Sequence, residues 1–231
     1  MTTPVAGGSS SESQHGDDHP VRHLLRTFQR RFDSTNMSNP ESTKQSIAVL
    51  AVDGFDSLQV SGIVAAISTA GHKAVIIGSR QGSAYPRGVT EGDDKTTGVI
   101  AGASTLANAG SFSALFIPDG DDKFVATLES DEVLTKIRQV AKEYQTIGAV
   151  GAAVPVLAHK AFPGDTDLKA DLAAAYSSKK GFVLAQNLVS DEASAWAKIK
   201  GVADLGGFGF AFFDAISKQP HKDRDVSAIK N

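Results

Sequence analysis

Thr146-Ile-Gly-Ala-Val-Gly-Ala-Ala-Val-Pro-Val-Leu-Ala-His159 is the stretch that decides the fold. Ile147 to Val150 is short and apolar, the mark of a strand buried on both faces. Gly151 turns the chain, and a helix over 152–160 follows. In an open α/β sheet, such a turn at the carboxyl end of a central strand is where ligands bind. Some folds carry a nucleophile on this kind of elbow. Here the tip holds only glycine, alanine and valine. The question is whether it is a working site or the remains of one.

Upstream, Ala114 to Pro118 reads as another buried strand, ending in Pro118-Asp-Gly120. A short helix over 121–128 follows. A second, over 131–144, carries Val133, Leu134, Ile137, Val140 and Ala141 on one face. Further back, Ile47 to Val52 is a continuous apolar strand turned by Asp53-Gly54. A helix over 57–70 points Leu58, Val60, Ile63, Val64 and Ile67 inward, and His72 to Gly78 is the next strand. This strand, helix, strand order predicts a parallel sheet. The glycine-rich residues 79–110 hold short strands near Ala84–Arg87 and Gly98–Ala101.

Downstream, 162–178 reads as loop with a helix over 166–176, and Gly181 to Ala185 as a late strand. Two helices close the chain. One spans 190–200, with Ser190 as its cap and Asp191 and Glu192 in its first turn. The other spans 203–218 and carries Leu205, Phe208, Phe212, Phe213 and Ile216. Pro220 stops it, and a polar tail over 221–231 ends the chain. The alternation predicts a flavodoxin-like, doubly wound, mostly parallel sheet with helices on both faces, spanning residues 46–220.

Residues 1–45 differ in character. Positions 1–19 are rich in serine, glycine and charge, and are expected to be disordered. Residues 20–32 interleave Val21, Leu24, Leu25, Phe28 and Phe32 with four arginines at helical spacing. This basic amphipathic helix suits its own domain, a partner groove or a membrane surface, the last being the weaker reading. Positions 33–45 read as linker.

Composition narrows the function. The 231 residues carry 23 basic and 26 acidic side chains, so no strong field for nucleic acid follows. There is no cysteine, which removes disulfides, thiolate metal sites and cysteine nucleophiles. No apolar run reaches the roughly 18 residues of a membrane helix, and no secretory leader is evident. A cytoplasmic location is the default expectation.

The loops after the strands carry no phosphate-binding pattern; the first reads Asp53-Gly-Phe-Asp56. A serine hydrolase would need serine at the elbow, where Gly151 stands; Ser57 and Ser61 read as cap or surface residues. Asp119, Asp121 and Asp122 could attract a hard cation, but acids at a helix start are ordinary caps. The six histidines show no metal-ligand spacing. His159 is expected to bond the carbonyls at its helix end. No cofactor and no metal are expected.

The order of these segments resembles the DJ-1/PfpI superfamily, relatives of the class I glutamine amidotransferases. Ala48-Val-Leu-Ala-Val-Asp-Gly-Phe-Asp56 looks like its first strand and acidic loop. Leu115-Phe-Ile-Pro-Asp-Gly120 looks like its strand ending in Pro-Gly-Gly, and Ile147 to Leu157 looks like its elbow. The resemblance covers about 46–185. It implies a nucleophilic cysteine at Gly151, or at Val150 for a loop shifted by one, and an acidic partner at Gln59. Neither replacement supplies a thiolate or a carboxylate. The family's protease, deglycase or glyoxalase-type activities are therefore expected to be absent.

A closer similarity is to the C-terminal domain of large-subunit catalases. Phe208-Gly-Phe-Ala-Phe-Phe-Asp-Ala-Ile216 and His221-Lys-Asp-Arg224 resemble its aromatic helix and terminal segment. The chain lacks the length of the haem-binding barrel of those enzymes; if complete, it would be a free-standing relative of the appended domain. The expectation is a non-catalytic domain with a vestigial elbow pocket at Gln59, Gly120, Val150 and Gly151. It would act by associating with a protein partner or with itself, in a chaperone-like way. The alternative is a divergent hydrolase or lyase of the same fold that uses Asp53, Asp56 or Asp119.

Overall fold

The strongest apolar runs became the centre of a six-stranded sheet. The computed structural model describes residues 44–92, 98–143, 145–172, 176–185, 205–222, 226, 227 and 229. The expected tail, the basic helix over 20–32 and the helix over 190–200 lie outside them.

In chain order the elements are β1 (Ser46–Leu50), α1 (Ser57–Thr69), β2 (Lys73–Ile77), β3 (Gly82–Ala84), β4 (Ile100–Ala103) and β5 (Ala114–Ile117). Then come α2 (Asp122–Leu128), α3 (Asp131–Lys142), β6 (Thr146–Val150) and α4 (Ala153–Val156), which runs into a π-helical turn, Leu157–Ala161. They are followed by α5 (Thr166–Asp171), β7 (Tyr176–Lys179), β8 (Phe182–Ala185) and α6 (Leu205–Ser217).

The sheet order is β2-β1-β5-β6-β8-β7, parallel throughout except for the β7–β8 hairpin. The order steps one way from β1 to β2 and the other way from β5 onward. Right-handed crossovers then place helices on opposite faces. Helix α1 packs with α6, while α2, α3 and α4 pack with one another. The doubly wound expectation holds.

β1, β5 and β6 lie between these layers. From Ile47 through Leu50, Ala114 through Ile117 and Thr146 through Val150, every residue is buried. Helix α6 seats its aromatic face on this centre. Phe208 and Phe212 meet the Phe116 ring edge-on, with centroids 5.8 and 6.1 Å apart. Gly148 makes room, since a Cβ there would stand 2.8 Å from the Phe212 ring.

Several expectations need correction. The predicted helix over 166–176 ends at Asp171, and Tyr176–Lys179 is a strand. Lys180 and Gly181, both at positive φ, make the two-residue turn that pairs it with β8. The short strands fall at Gly82–Ala84 and Ile100–Ala103, in a separate antiparallel pair. Leu58, in the first turn of α1, is 43% exposed rather than inward. His221 is buried rather than part of a loose polar tail.

Candidate functional site

Three loops meet at the carboxyl edge of the sheet, after β1, β5 and β6. Backbone bonds tie the first two together: Asp56 N–H donates to the Asp119 carbonyl (2.8 Å) and Asp121 N–H to that of Gly54 (3.0 Å). Phe55 bridges to both Pro86 and Gly120, so residues 85–87 cross over the loop as a strap. Gly120 leaves room for Phe124 of α2, since a Cβ there would stand 2.2 Å from that side chain.

The third loop is the elbow. Val150 is fully buried as the last residue of β6. Gly151 follows with φ of +57°, the left-handed region that disfavours any side chain. It is the sharp strand-to-helix turn expected from sequence, and its tip is occupied. A Cβ built on Gly151 would stand 2.3 Å from the carboxyl carbon of Asp119. The Asp119 carboxylate itself accepts the N–H of Ala152 at 2.8 Å. One of the elbow's own amides therefore bonds a carboxylate of the same chain.

Asp119 is held from three sides. Its N–H donates to Gln59 Oε1 (2.8 Å), its carbonyl takes Asp56 N–H, and its second carboxylate oxygen lies 3.6 Å from Arg87. Gln59 is 3% exposed and Phe55 is fully buried. Among the described residues Gln59 Nε2 has no hydrogen-bond partner, a cost of about 1–3 kcal/mol for a buried donor.

The other carboxylates have structural duties. Asp56 caps α1, accepting from Leu58 N–H and Gln59 N–H. Asp53 accepts from Tyr85 N–H and from Arg80, which also pairs with Glu91. Asp121 caps α2 through Lys123 N–H and Phe124 N–H. Among the described residues, no three His, Asp or Glu side chains converge as a metal would require.

The structure thus brings all four expected pocket residues together, Gln59, Gly120, Val150 and Gly151. Sequence reasoning missed the part played by Asp119, which was weighed as a cation ligand or a catalytic acid and occupies the elbow instead. Arg87 and the strap were also missed, since nothing in the glycine-rich stretch announces where it crosses. The predicted role of His159 falls to Arg138, whose guanidinium donates to the carbonyls of Lys160 (2.8 Å) and Ala161 (2.9 Å), while His159 is exposed. No described helix is long and apolar enough to cross a membrane.

No family model matches the chain. Catalase A of Aspergillus fumigatus is 27% identical over 225 residues, covering 91% of this chain and 28% of that protein. Catalase A of Emericella nidulans is 27% identical over 210 residues, covering 86% and 26%. The chain spans about a quarter of the length of these relatives. Among solved structures, Drosophila melanogaster DJ-1beta matches with a TM-score of 0.53 at 14% identity, covering 78% of this chain and 93% of that one. Toxoplasma gondii DJ-1 gives 0.54 at 12% identity, covering 80% and 96%. A two-domain protein from Anabaena variabilis with DJ-1/ThiJ/PfpI-like and ferritin-like domains gives 0.55 at 15%, covering 79% and 52%. The fold is that of the DJ-1/ThiJ/PfpI proteins.

Proposed function

We propose that the chain is a non-catalytic domain of the DJ-1/ThiJ/PfpI fold, related to the C-terminal domain of large-subunit catalases. In this reading it associates with protein and stabilises it in a chaperone-like way. One observation carries the reading: the Asp119 carboxylate stands where a side chain at position 151 would stand, and it bonds Ala152 N–H. A nucleophile has no room there, and the chain has no thiol to offer. Phe55 and Gln59 are themselves buried beneath these loops rather than open to a substrate. Similarity to two fungal catalases over most of this chain, but only a quarter of theirs, supports kinship with an appended, non-haem part. The partner is another protein or a second copy of the chain, and the compartment is the cytoplasm.

The test joins two measurements on the full chain. Light scattering of a heat-stressed client, a large-subunit catalase among the clients tried, is expected to fall when the chain is added in equimolar amount. Peroxidase, esterase and glyoxalase assays are expected to show no turnover. Unchanged client aggregation would remove the chaperone-like reading. Turnover abolished by Asp119→Asn or Asp53→Asn would establish the alternative, a hydrolase or lyase working through carboxylates.

A further inference from the structure

A single hydrogen-bonded row crosses four strands at the amino edge of the sheet, the end opposite the elbow. At the start of β2, His72 Nδ1 accepts the N–H of Gln45 (3.4 Å). Ser113, just before β5, turns its hydroxyl to Gln45 Oε1 (3.2 Å) and the Ser46 carbonyl (3.1 Å). Gln219 donates from Nε2 to the Ser113 carbonyl (2.9 Å) and to the Thr146 hydroxyl oxygen (2.8 Å). His221 Nε2 lies 3.0 Å from that same hydroxyl. The row follows the sheet order β2, β1, β5, β6 and ties residues 219–221 to it.

Counting protons fixes the charge state. Thr146 is fully buried and already accepts from Gln219, so its own proton goes to an unprotonated His221 Nε2. His72 Nδ1 accepts an N–H and is also bare. Both histidines are therefore neutral, in opposite tautomers. A proton on His72 Nδ1 would face the Gln45 N–H. A proton on His221 Nε2 would leave the buried Thr146 hydroxyl proton without its acceptor.

At His72 the surroundings act in the same direction. His72 stacks on Phe213 of α6 with centroids 6.0 Å apart, and burial lowers its pKa from 6.5. The charged neighbours of that joint in the chain are Lys44 and Lys73. His221 shares a cavity with Lys179 and Lys180 of the β7–β8 hairpin and with Asp214 and Lys218 at the end of α6. Asp223, Arg224 and Asp225 follow it in sequence. Lys179, Lys180 and Lys218 are each paired with an aspartate, Asp171, Asp167 and Asp214, so this cavity is near charge balance and the neutral state of His221 rests on its bond to Thr146.

We propose that this row is an acid-released clasp on the C-terminal segment: protonation of His72 and His221 frees residues 218–222 from the sheet edge and loosens α6. The sign follows from the neutral native state. A group held neutral in the fold contributes its stability fully above its unfolded pKa, about 6.5 for histidine, and loses it as pH falls below that value. Loosening α6 uncovers Phe208, Phe212 and Phe213.

Hydrogen exchange of the full chain at about pH 7.5 and about pH 5.5, corrected for intrinsic rates, reads the clasp directly. Amides of 205–222 are expected to lose up to about tenfold in protection at the lower pH for each histidine that stays neutral in the fold, because about pH 5.5 lies about one unit below the free imidazole value. His72→Asn keeps an acceptor near Nδ1 and His221→Gln keeps one near Nε2, and neither titrates. The double variant is expected to lose no protection. Equal protection of the wild type at both pH values overturns the proposal, as does an equal loss in the double variant. If the double variant does not fold, each single variant must show a smaller loss than the wild type, and equal losses in both overturn it.

Discussion

The two edges of one sheet are closed by different chemistry. At the carboxyl edge, the loops after β1, β5 and β6 are held by ionised groups: Asp56 as a cap, Asp53 with Arg80, and Asp119 between Ala152 N–H and Arg87. At the amino edge, the closing groups are amides, hydroxyls and neutral imidazoles from Gln45, His72, Ser113, Thr146, Gln219 and His221. The reason lies in the backbone. The carboxyl edge faces helix starts, whose free N–H groups favour anions. The amino edge is crossed by the Gln219 to His221 segment, and its central residue Thr146 is fully buried, where an unpaired charge would be costly. The edge where this fold class holds ligands is thus occupied by the chain's own carboxylates. The other edge holds the groups that can respond near neutral pH.

The largest effect separating the two edges is expected at the elbow. Gly151→Ala places a Cβ in the left-handed region, costing about 1–2 kcal/mol. It also presses that Cβ on Asp119, and such overpacking adds about 1–3 kcal/mol. Urea denaturation should show a midpoint lowered accordingly. In the double variant with Asp119→Gly, the overpacking part should disappear while the backbone part remains. Additive losses would mean that Asp119 does not occupy the tip. At the other edge, Thr146→Val keeps the shape of the side chain and removes the hydroxyl shared by Gln219 and His221. It should cost about 1–3 kcal/mol in the same assay, with Thr146→Ser close to wild type. A Val variant as stable as wild type would mean that the row contributes little.

The two edges were unequally legible in the sequence. The apolar runs of β1, β5 and β6 and the spacing of α3 fix buried strands and an amphipathic helix by periodicity alone. The glycine turn at 151 was readable for the same reason, because its neighbours are regular. What sits over that turn was not readable. Asp119 is 32 positions away from Gly151, and only the pairing of β5 beside β6 brings the two together. The strand Tyr176–Lys179 was hidden because Ser-Ser-Lys is polar, as suits an edge strand. The amino-edge row was hidden for a further reason. Gln219 and His221 flank the helix-stopping Pro220, in a stretch that reads as a loose end. Their partners Ser113 and Thr146 lie 106 and 73 residues from Gln219.

The smallest effect tests whether charge matters beyond the elbow. Asp171 ends α5 and reaches into the β7–β8 hairpin, where Lys179 (2.8 Å) and Ser177 (2.7 Å) both donate to it. Burial alone would raise its pKa. The hydrogen bonds from Lys179 and Ser177, with the charges of Lys179 and Lys180, outweigh that and lower it from 3.8. A carboxylate with a depressed native pKa adds stability that is complete above its unfolded pKa and is lost as pH falls through the native one. Asp171→Asn should therefore be less stable than wild type near neutrality and converge with it in acid, below about pH 3.8. The gap should stay below about 1 kcal/mol, because Lys179 is mostly exposed and water screens such a pair. Urea midpoints of both proteins across that range decide the point. A gap that persists unchanged in acid would mean that Asp171 works by shape and neutral hydrogen bonding, as the amino edge does.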